Sequence, residues 1–319
     1  MNKTSPLILQ PDAAGLARAA ALLAKGSLVA FPTETVYGLG ADARNGAAVA
    51  GIFAAKDRPH FNPLIVHVPS ISAARRYVVW SDTADILARA FWPGPLTLVL
   101  PLAEDHGLSP LVTAGLPTVA LRAPAQASAQ VLLETFGGPV AAPSANPSGR
   151  ISPTTADHVV QGLGGRVTAV VDDGACSVGL ESTIVGLVPE PTLLRAGGLP
   201  LEAIEASLGL RLSNLPRPSS NETVTAPGQL ASHYAPNATL RMNATSAAPG
   251  ELLLGFGPMA CDLNLSVSGD LYEAAANLFD HLHRLDDLNR PIAVAPIPMH
   301  GLGNAINDRL NRASAPRMP

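Results

Sequence analysis

The sequence predicts a mixed α/β fold for about the first two hundred residues and a smaller α/β unit at the end of the chain. Short apolar or β-branched runs outnumber the stretches with helical periodicity, so some strands must be joined without a helix. A regularly wound parallel sheet needs a helix in every connection. The composition then changes near residue 209, where Pro, Ser and Asn become frequent. We therefore expect a larger domain at 1–208, a linker at 209–236 and a small α/β domain at 237–319.

The spacing of apolar residues predicts each element. Residues 12–24 place Leu16, Ala20, Leu23 and Ala24 on one helical face, and Asn45 is a candidate N-cap for the next helix. Further helices are predicted at 127–136 and 155–163. Strands are predicted at 28–31, 64–68, 96–100, 119–122, 140–142, 169–172, 183–187 and 192–195. After the linker, the order is a strand at 252–256, a helix at 271–285, a strand at 292–295 and a helix at 302–313.

Composition and charge exclude several classes of protein. The 319 residues are 47% hydrophobic and 14% charged, which is typical of a chain that buries a core. The net charge of -4 argues against a strongly basic nucleic-acid binder, so any contact with RNA would depend on a local patch. The two cysteines are far apart and form no CxxC pair, so we expect neither a disulfide framework nor a zinc site. The first residues contain no long apolar run, and we expect no signal peptide, no membrane span and a cytoplasmic location.

Two cations stand together at the predicted exit of a helix, Lys56 and Arg58. Lys56 is one of only three lysines in the chain. Basic side chains at this position can complement the helix dipole, or they can bind a polyphosphate, Arg with its fork and Lys as a point charge. Pro59 and Pro63 stiffen the segment, which lowers the entropy lost on binding.

Hydroxyl-rich loops follow several strands. Residues 31–40, FPTETVYGLG, form either a ligand-binding loop at a strand end or a turn that only reverses the chain. The loop at 139–153 contains Ser144, Asn146 and Ser152, neutral donors that suit phosphate oxygens or ribose. It is not a P-loop, because GxxxxGK[ST] is missing. Ser182 begins a strand, where its hydroxyl can bind a small substrate or satisfy a neighbouring backbone group.

Three further features are open to a structural interpretation. Arg122 ends an apolar strand, so it either binds a carboxylate or forms an internal ion pair. His67 also ends an apolar strand, where a histidine is more often a satisfied core residue than a ligand. The segment FWPGPLT at 91–97 is interpreted as a packed turn without chemistry.

The sequence contains no motif for covalent catalysis. It has no GxSxG, no HExxH and no motif with paired carboxylates, and His281 and His283 point to different faces of a helix. No metal ligand set is evident. Cations and neutral donors instead favour electrostatic stabilisation of a phosphate reaction.

Taken together, the motifs resemble those of the YrdC-like L-threonylcarbamoyladenylate synthases. The matching segments, in the family's order, are PTETVYGLG at 32–40, KxRP with NPLIVH at 56–67, FWPGPLT at 91–97, TVALR at 118–122, APSANPSG at 142–149 and ESTIVG at 181–186. The segment HYAP at 233–236, followed by a small α/β unit, resembles the long two-domain form. The resemblance implies a YrdC-like domain with a twisted mixed sheet and flanking helices, plus a small Rossmann-like C-terminal domain.

The resemblance also implies a nucleotidyltransferase reaction. L-threonine and bicarbonate, through N-carboxythreonine, attack the α-phosphate of ATP and release pyrophosphate. The product, threonylcarbamoyl-AMP, is passed to a separate tRNA threonylcarbamoyl transferase complex, as the first step of N6-threonylcarbamoyladenosine formation in tRNA. Mg²⁺ is expected to arrive with ATP, keeping mostly water and phosphate ligands.

By resemblance, the site residues fall into two groups, and Lys56 and Arg58 are expected to act in catalysis. The ATP group is Lys56, Arg58, Asn62, Thr118, Ser144, Asn146, Ser152, Arg195 and Tyr234. The threonine group is Thr35, His67, Arg122, Ser182 and the backbone at Ala142. The linker is expected to close over the nucleotide as a lid with Tyr234, the alternative being a passive tether.

Two rival interpretations remain open at this point. One is an RNA-binding module without catalysis, which strong, salt-dependent RNA binding would support. The other is a paralogue that keeps the fold but uses another carbamoyl-type substrate. The Lys56/Arg58 and Ser144/Asn146 pairs favour the threonine enzyme.

Overall fold

A computed structural model of the chain describes residues 5–59, 61–214 and 234–315. Within these ranges the first domain contains a sheet of eleven strands. They are β1 (Leu7–Leu9), β2 (Val29–Phe31), β3 (Gly38–Asp42), β4 (Ile65–His67), β5 (Leu96–Pro101), β6 (Thr118–Arg122), β7 (Val140–Ala141), β8 (Ala169–Val171), β9 (Thr183–Gly186), β10 (Thr192–Arg195) and β11 (Ser213–Asn214).

The sheet mixes parallel and antiparallel neighbours. Its order is β1-β8-β2-β3-β7-β4-β6-β5-β9-β10-β11. β4 runs parallel to β6, with Ile65 opposite Ala120 and His67 opposite Arg122. β6 is antiparallel to β5, which in turn is parallel to β9. The predicted mixed sheet is therefore confirmed, and the parallel pairing of β4 with β6 sets the two strands that carry His67 and Arg122 side by side.

The first domain also contains the helices predicted from periodicity. The helices of this domain are α1 (Ala13–Ala24), α2 (Gly46–Lys56), α3 (Ile71–Ala74), α4 (Asp82–Phe91), α5 (Pro110–Thr113), α6 (Ala127–Phe136), α7 (Ala156–Leu163) and α8 (Leu201–Leu208). Asn45 caps α2 as predicted, because its side chain accepts hydrogen bonds from the amides of Ala47 and Ala48. The sequence analysis missed α4 and α8.

The Gly-rich segment after Thr35 is a strand, not the flexible turn that one interpretation allowed. Residues Gly38–Asp42 form β3 between β2 and β7. A Cβ atom at Gly40 would lie 2.9 Å from the Phe31 ring and 3.1 Å from the carbonyl oxygen of Val29. The glycine is therefore needed for close packing between neighbouring strands, a constraint that weakens the usual sequence signal of a strand.

Side chains on the two faces of the sheet form separate clusters. One face packs Leu98, Leu121 and Val185 against residues of α2 and α4. The opposite face packs α1 and α6 over strands β1, β8 and β2. Farther along this second face, Ile65, Val99, Ala120 and Ile184 form a small apolar cluster. Ile65 of this cluster lines a cavity over the same face.

The second domain is a small α/β unit, as predicted. Its strands are β12 (Leu240–Arg241), β13 (Leu252–Gly255), β14 (Leu263–Asn264) and β15 (Ile292–Val294), and its helices are α9 (Leu271–Asp286) and α10 (Leu302–Ser314). The strand order is β12-β15-β13-β14, and every neighbouring pair is parallel. Parallel strands need helical crossovers, which explains the strand–helix alternation seen in the sequence.

The two domains share one apolar cluster. Val36, Ile151 and Leu180 of the first domain pack with Leu278 and other residues of the second. A Cβ atom at Gly179 would lie 2.5 Å from the carbonyl oxygen of Ala275, so the glycine allows α9 to approach the first domain closely. The second domain is thus docked through a continuous core.

The chain around the predicted linker divides between described and undescribed residues. Ser213–Asn214 form β11, parallel to β10, so the large sheet extends beyond the limit of 208 predicted for the first domain. Residues 215–233, which include most of the predicted lid, lie outside the described residues. None of the helices in the described ranges combines the length and the hydrophobicity needed to span a membrane.

Candidate active site

A cavity opens over the second face of the large sheet. It encloses about 560 Å³ of space outside protein atoms, part of it open to solvent. The predicted site residues that line it are Thr35, Arg58, His67, Arg122, Ala142, Ser144, Ser182, Arg195 and Tyr234. The remaining predicted residues, Lys56, Asn62, Thr118, Asn146 and Ser152, are not part of this lining. The cavity therefore brings together side chains that are up to two hundred residues apart in the sequence.

Arg122 is held at one end of the cavity by a buried carboxylate. Its Nη2 atom lies 2.7 Å from Oε1 of Glu34, and both side chains are less than one-tenth exposed, although the pair is not aligned as a hydrogen bond. Oε2 of Glu34 accepts a hydrogen bond from the amide of Ala125. The internal ion pair considered from sequence is therefore present. Binding of a substrate carboxylate by Arg122 stays a prediction.

A directed chain of hydrogen bonds starts at Arg122. Its Nη1 atom donates to Oγ1 of Thr35 at 2.7 Å, and its Nε atom donates to the carbonyl oxygen of Gly94 at 3.2 Å. Thr33 Oγ1 donates to the carbonyl oxygen of Val36 at 2.7 Å, so the 2.8 Å contact between the two threonine hydroxyls must be donated by Thr35. The lone pairs of the Thr35 hydroxyl thus remain the acceptor for Arg122.

His67 lies beside Arg122 on the neighbouring strand. The ring is 3% exposed and meets the Phe31 ring edge-on, with centroids 6.0 Å apart. Burial, together with the positive charge of Arg122, lowers the pKa of His67 to about 3. The imidazole is therefore neutral at physiological pH. Its Nδ1 atom is buried and has no aligned hydrogen-bond partner among the described residues, but backbone groups of Ile65 and Val140 interact with the ring. His67 also lines the cavity, so a core role and a ligand-binding role both fit it.

Ser182 is fixed by two neighbours at the start of β9. Its hydroxyl lies 2.7 Å from Oγ1 of Thr97, and Nη2 of Arg195 donates to its carbonyl oxygen at 2.8 Å. Burial lowers the pKa of Arg195 to about 10, which leaves the guanidinium charged at neutral pH. Both structural and ligand-binding roles were considered for Ser182, and the cavity lining places it where a ligand can reach it.

Arg58 provides a buried positive charge at the opposite end. It is 7% exposed, its Nη2 atom donates to the carbonyl oxygen of Pro63 at 2.9 Å, and its Nε atom donates to that of Asn62 at 3.3 Å. Burial lowers the pKa of Arg58 to about 10, so it too stays charged. No carboxylate among the described residues forms an ion pair with it. A buried cation without a counter-charge is costly, and this arrangement suits an anionic ligand.

Asn62 and Thr118 lie near this end without lining the enclosed space. Asn62 is fully buried, and neither polar atom of its side chain has a hydrogen-bond partner among the described residues. Thr118 shares a face of β6 with Ala120 and Arg122, since side chains alternate along a strand, and it is about 13 Å from Arg122 at about 3.3 Å per residue. Its predicted contact with ATP stays a prediction.

Lys56 does not line the cavity, in contrast to Arg58. Its side chain is 1% exposed, and Nζ donates to the carbonyl oxygens of Ser144, at 2.5 Å, and Asn146. Burial, with the nearby charge of Arg58, lowers the pKa of Lys56. The phosphate contact predicted for Lys56 stays a prediction. The geometry favours a role in fixing the 144–146 loop.

The loop that Lys56 holds contributes Ser144 to the lining. Gly38 and Ser144 pair in an isolated bridge, and the Leu39 amide donates to the carbonyl oxygen of Pro143 at 2.7 Å. Asn146 donates through Nδ2 to the carbonyl oxygens of Pro147 and Arg150, while its buried Oδ1 atom has no partner among the described residues. Backbone pairing and side-chain hydrogen bonds thus fix this loop in place.

Ser152 and Tyr234 meet at the domain interface. The Ser152 hydroxyl is fully buried and donates to Oε1 of Glu181 at 2.5 Å. Tyr234 is 2% exposed, has a positive φ of 64° and stacks on Phe279 of α9. The amide of the next residue, Ala235, donates to the carbonyl oxygen of Gly149 at 2.8 Å. This short described end of the linker is therefore tied to the site loop.

Sequence reasoning missed several residues of the site. Glu34, Thr33 and Glu181 lie inside the motifs, but no local pattern assigned a role to them. Gly94 and Thr97 lie in the segment interpreted as a turn without chemistry, yet Gly94 accepts from Arg122 and Thr97 contacts Ser182. Arg309, in the second domain, had no local signal at all. Among the described residues, no group of three His, Cys, Asp or Glu side chains could hold a metal ion.

Comparison with known proteins supports this organisation. Residues 21–197 match a family model described as telomere recombination, and residues 199–315 match that of the threonylcarbamoyl-AMP synthase C-terminal domain. A threonylcarbamoyl-AMP synthase of Pyrococcus abyssi is 40% identical over 321 residues, covering 94% of each chain. One of Bacillus subtilis is 41% identical over 325 residues, covering 95% of this chain and 94% of the relative. The crystal structure of P. abyssi Sua5 complexed with L-threonine superposes with a TM-score of 0.89, at 38% identity and 98% coverage of both chains.

The fold and the cavity define a class of two-domain α/β protein in which buried arginines and hydroxyls line one cleft of the larger domain. Within that class, the chain belongs to the threonylcarbamoyl-AMP synthase family, in its long two-domain form. The resemblance drawn from the motifs is thereby confirmed.

Proposed function

We propose that this protein synthesises threonylcarbamoyl-AMP from L-threonine, bicarbonate and ATP, with release of pyrophosphate. One observation carries the proposal. A single cavity is lined by Arg122 with Thr35 and His67 at one end and by Arg58, without a carboxylate partner among the described residues, at the other. Such a cavity offers separate positions for an amino acid and for a polyphosphate. The relatives' names and the threonine in the P. abyssi crystal structure support this choice of substrates.

The proposed reaction has two steps. The ammonium group of threonine first loses a proton to solvent, and the neutral amine condenses with bicarbonate, giving the carbamate N-carboxythreonine and water. An oxygen of this carbamate forms a bond to the α-phosphorus of ATP, and the bond from that phosphorus to the bridging oxygen of the β-phosphate breaks. Pyrophosphate leaves with the electron pair. The carbamate is already anionic, so the second step requires no general base, in agreement with a site built from cations and neutral donors.

The threonine end binds an amino acid through charge and hydroxyl groups. Arg122 has N–H groups for the substrate carboxylate, while Glu34 keeps this end close to electrically neutral. Ser182 and the backbone at Ala142 lie in the same lining. His67, kept neutral by burial and by Arg122, can hydrogen-bond the substrate without adding a second positive charge beside Arg122.

The nucleotide end stabilises the charge that develops on the phosphates. Arg58 and Arg195 both line the cavity and both stay charged at neutral pH. Preorganised cations in a water-poor cavity lower the energy of a phosphoryl-transfer transition state, since their orientation is set before the reaction. Ser144 supplies a neutral donor in the same lining. Asn62, which is buried behind the lining, has side-chain polar atoms without a hydrogen-bond partner among the described residues.

Mg²⁺ would enter this site together with ATP. Glu181 is the one carboxylate among the described residues that line the cavity, and it is already engaged by Ser152 and by Arg309. The donor set therefore fits an ion held mainly by phosphate oxygens and water. The ion would neutralise charge on the phosphates.

The product defines the next partner. A mixed anhydride of a carbamic acid and a phosphate hydrolyses readily, so a separate transferase that carries the group to tRNA must receive it promptly. We place this chain in the cytoplasm with that transferase. With a net charge of -4, contact between the chain itself and tRNA would be weak and local.

The test is pyrophosphate release from ATP by the purified chain, with threonine and bicarbonate omitted in turn. Release should require both and should not require tRNA. Turnover with other amino acids but not with threonine would indicate a paralogue. Strong, salt-dependent RNA binding without pyrophosphate release would instead support the RNA-binding module.

A further inference from the structure

Arg309 reaches from the second domain into the wall of the cavity. It lies on α10, and its side chain is fully buried. Its Nε atom donates to Oε2 of Glu181 at 2.7 Å, and its Nη2 atom donates to the carbonyl oxygen of Ala196 at 2.9 Å. The guanidinium carbon also lies 4.9 Å from the centroid of the Tyr234 ring. Its Nη1 atom donates to Oδ2 of the neighbouring Asp308 at 2.7 Å. One side chain thus contacts two segments of the first domain, at Glu181 and Ala196, and the described end of the linker at Tyr234.

Glu181 passes this contact on to the cavity. Its second carboxylate oxygen accepts the hydrogen bond from Ser152, so the carboxylate bridges Arg309 and Ser152. Burial alone would raise the pKa of Glu181, but Arg309 and Arg195 together lower it. The carboxylate is therefore ionised and held in place. Glu181 and Tyr234 both belong to the cavity lining, on the side that Arg195 shares.

The position of Arg309 is fixed by the docking of the second domain. Ile306 and Leu310, which flank Arg309 on α10, are both buried in the apolar cluster that includes Val36, Ile151 and Leu180 of the first domain. Gly197, next to the Ala196 carbonyl, has no room for a side chain, because a Cβ atom would lie 2.3 Å from the carbonyl oxygen of Glu181. The guanidinium therefore meets a preformed acceptor pair.

We propose that Arg309 is a positioning residue through which the second domain sets the nucleotide end of the cavity. The proposal rests on the proposed function and deepens it. Without Arg309, the buried Glu181 carboxylate would lose its partner and draw Arg195 towards itself, away from the phosphates. Ser152 would lose its fixed acceptor, and the Tyr234 ring would lose a contact. Arg122, Thr35, Glu34 and His67 make none of these contacts, and Ser182 is the member of the threonine group that is linked to them, through hydrogen bonds from Arg195.

The test compares Arg309→Met with Arg241→Met, an exposed arginine of the same domain whose ion pair is with Glu251. Pyrophosphate release gives KM for ATP and for threonine, and calorimetry gives ATP affinity without turnover. Arg309→Met should raise KM and Kd for ATP by about tenfold or more, the scale expected when a buried charge partner is lost. KM for threonine should rise less, by no more than about threefold, because Ser182 is the one member of the threonine group that Arg195 holds, and Arg241→Met should match the wild type.

Two further variants guard against a purely structural explanation. Arg309→Lys keeps the charge that Glu181 needs for folding but lacks the fork that reaches Ala196, and it should raise KM for ATP by about threefold. Adding Glu181→Gln to Arg309→Met removes the uncompensated carboxylate and should recover part of the lost ATP affinity.

Other outcomes overturn the proposal. An unchanged KM for ATP in both Arg309 variants contradicts it, and so does a rise of both KM values in parallel with a loss of folded protein. If the wild type binds ATP but releases no threonine-dependent pyrophosphate, the proposed function fails. The calorimetric comparison still decides the role of Arg309 in that case.

Discussion

The two ends of the cavity differ in how the charge of their buried arginine is compensated. At the end proposed to bind threonine, Arg122 is matched by the buried carboxylate of Glu34 and by an ordered chain of hydroxyls. At the end proposed to bind the nucleotide, Arg58 is held by two backbone carbonyls and forms no ion pair with the described residues. A neutral end suits a zwitterionic amino acid, whereas an end with surplus positive charge suits a polyphosphate. The difference indicates that the Arg122–Glu34 pair is compensated within the protein, whereas the charge of Arg58 is available for a ligand.

The two arginines therefore differ in their contribution to the free energy of unfolding when no ligand is bound. Carbonyl oxygens carry only partial charges, so they compensate a buried guanidinium less well than a carboxylate does. Arg58 is then expected to cost stability in the absence of ligand, while the Arg122–Glu34 pair costs stability only when one partner is removed. Substitutions at the two ends should therefore differ in their effects on activity and on stability.

The largest effect is expected at Arg58. Arg58→Met should lower kcat/KM for ATP by about 1,000-fold, the upper range for removing a preorganised charge from a transition state. The melting temperature should stay the same or rise, because methionine fills the space without a buried charge. Steady-state pyrophosphate release and calorimetric melting check both parts, with the exposed Arg89→Met as control. Loss of activity together with a marked loss of stability would contradict the assignment.

Arg122→Met should have a smaller effect, confined to the other substrate. We expect KM for threonine to rise by about 100-fold, because the variant both removes the carboxylate partner and leaves Glu34 buried without its cation. The melting temperature should fall, in contrast to Arg58→Met. Glu34→Gln added to Arg122→Met should restore stability but not threonine binding. A rise in KM for ATP alone would assign Arg122 to the wrong end.

The variant Lys56→Met tests whether Lys56 and Arg58 have different roles. The hydrogen bonds of Lys56 end on the carbonyl oxygens of Ser144 and Asn146, so the variant should loosen that loop and lower kcat/KM for ATP by about tenfold. The melting temperature should fall by several degrees, as expected for a loss of about 1–2 kcal/mol, because Lys56 joins α2 to a loop about ninety residues away in the sequence, whereas both acceptors of Arg58 lie within five residues of it. Activity reduced as strongly as in Arg58→Met, with full stability, would instead support the direct phosphate contact predicted from the sequence.

The smallest effect concerns pH. The pKa of His67 is about 3 in the folded protein, well below its ordinary value of about 6.5. Only the unfolded state takes up this proton as the pH falls from about 6.5 towards 3, so stability is retained above that window and lost within it. The slope from this one group is at most about 1.4 kcal/mol per pH unit.

His67→Asn should flatten that slope when unfolding by urea is measured between pH 7 and pH 4. The KM for threonine of the wild type should not change near pH 6.5. A change there in the wild type that is missing from His67→Asn would be the contrary result. Such a change would mean that the imidazole titrates normally, and the electrostatic description of the threonine end would then be wrong.

The sequence by itself determined the mixed α/β class, most of the strands, the N-cap of α2, and the segments that form the cavity. These features are local: apolar periodicity and capping side chains act within a few residues. It did not reveal β3, because packing against Phe31 requires glycine where a strand is usually rich in β-branched residues. It missed α4 and α8, whose periodicity was not singled out.

Only the tertiary structure decided what each polar side chain does. Lys56 and Arg58 are two residues apart and look equivalent in the motif, yet one binds a neighbouring loop and the other lines the cavity. Glu34 and Arg122, or Glu181 and Arg309, are about ninety and one hundred and thirty residues apart along the chain, so no local pattern can pair them. Their partners are fixed by sheet register and by the docking of the second domain, because a buried charge takes whichever partner the fold brings within reach.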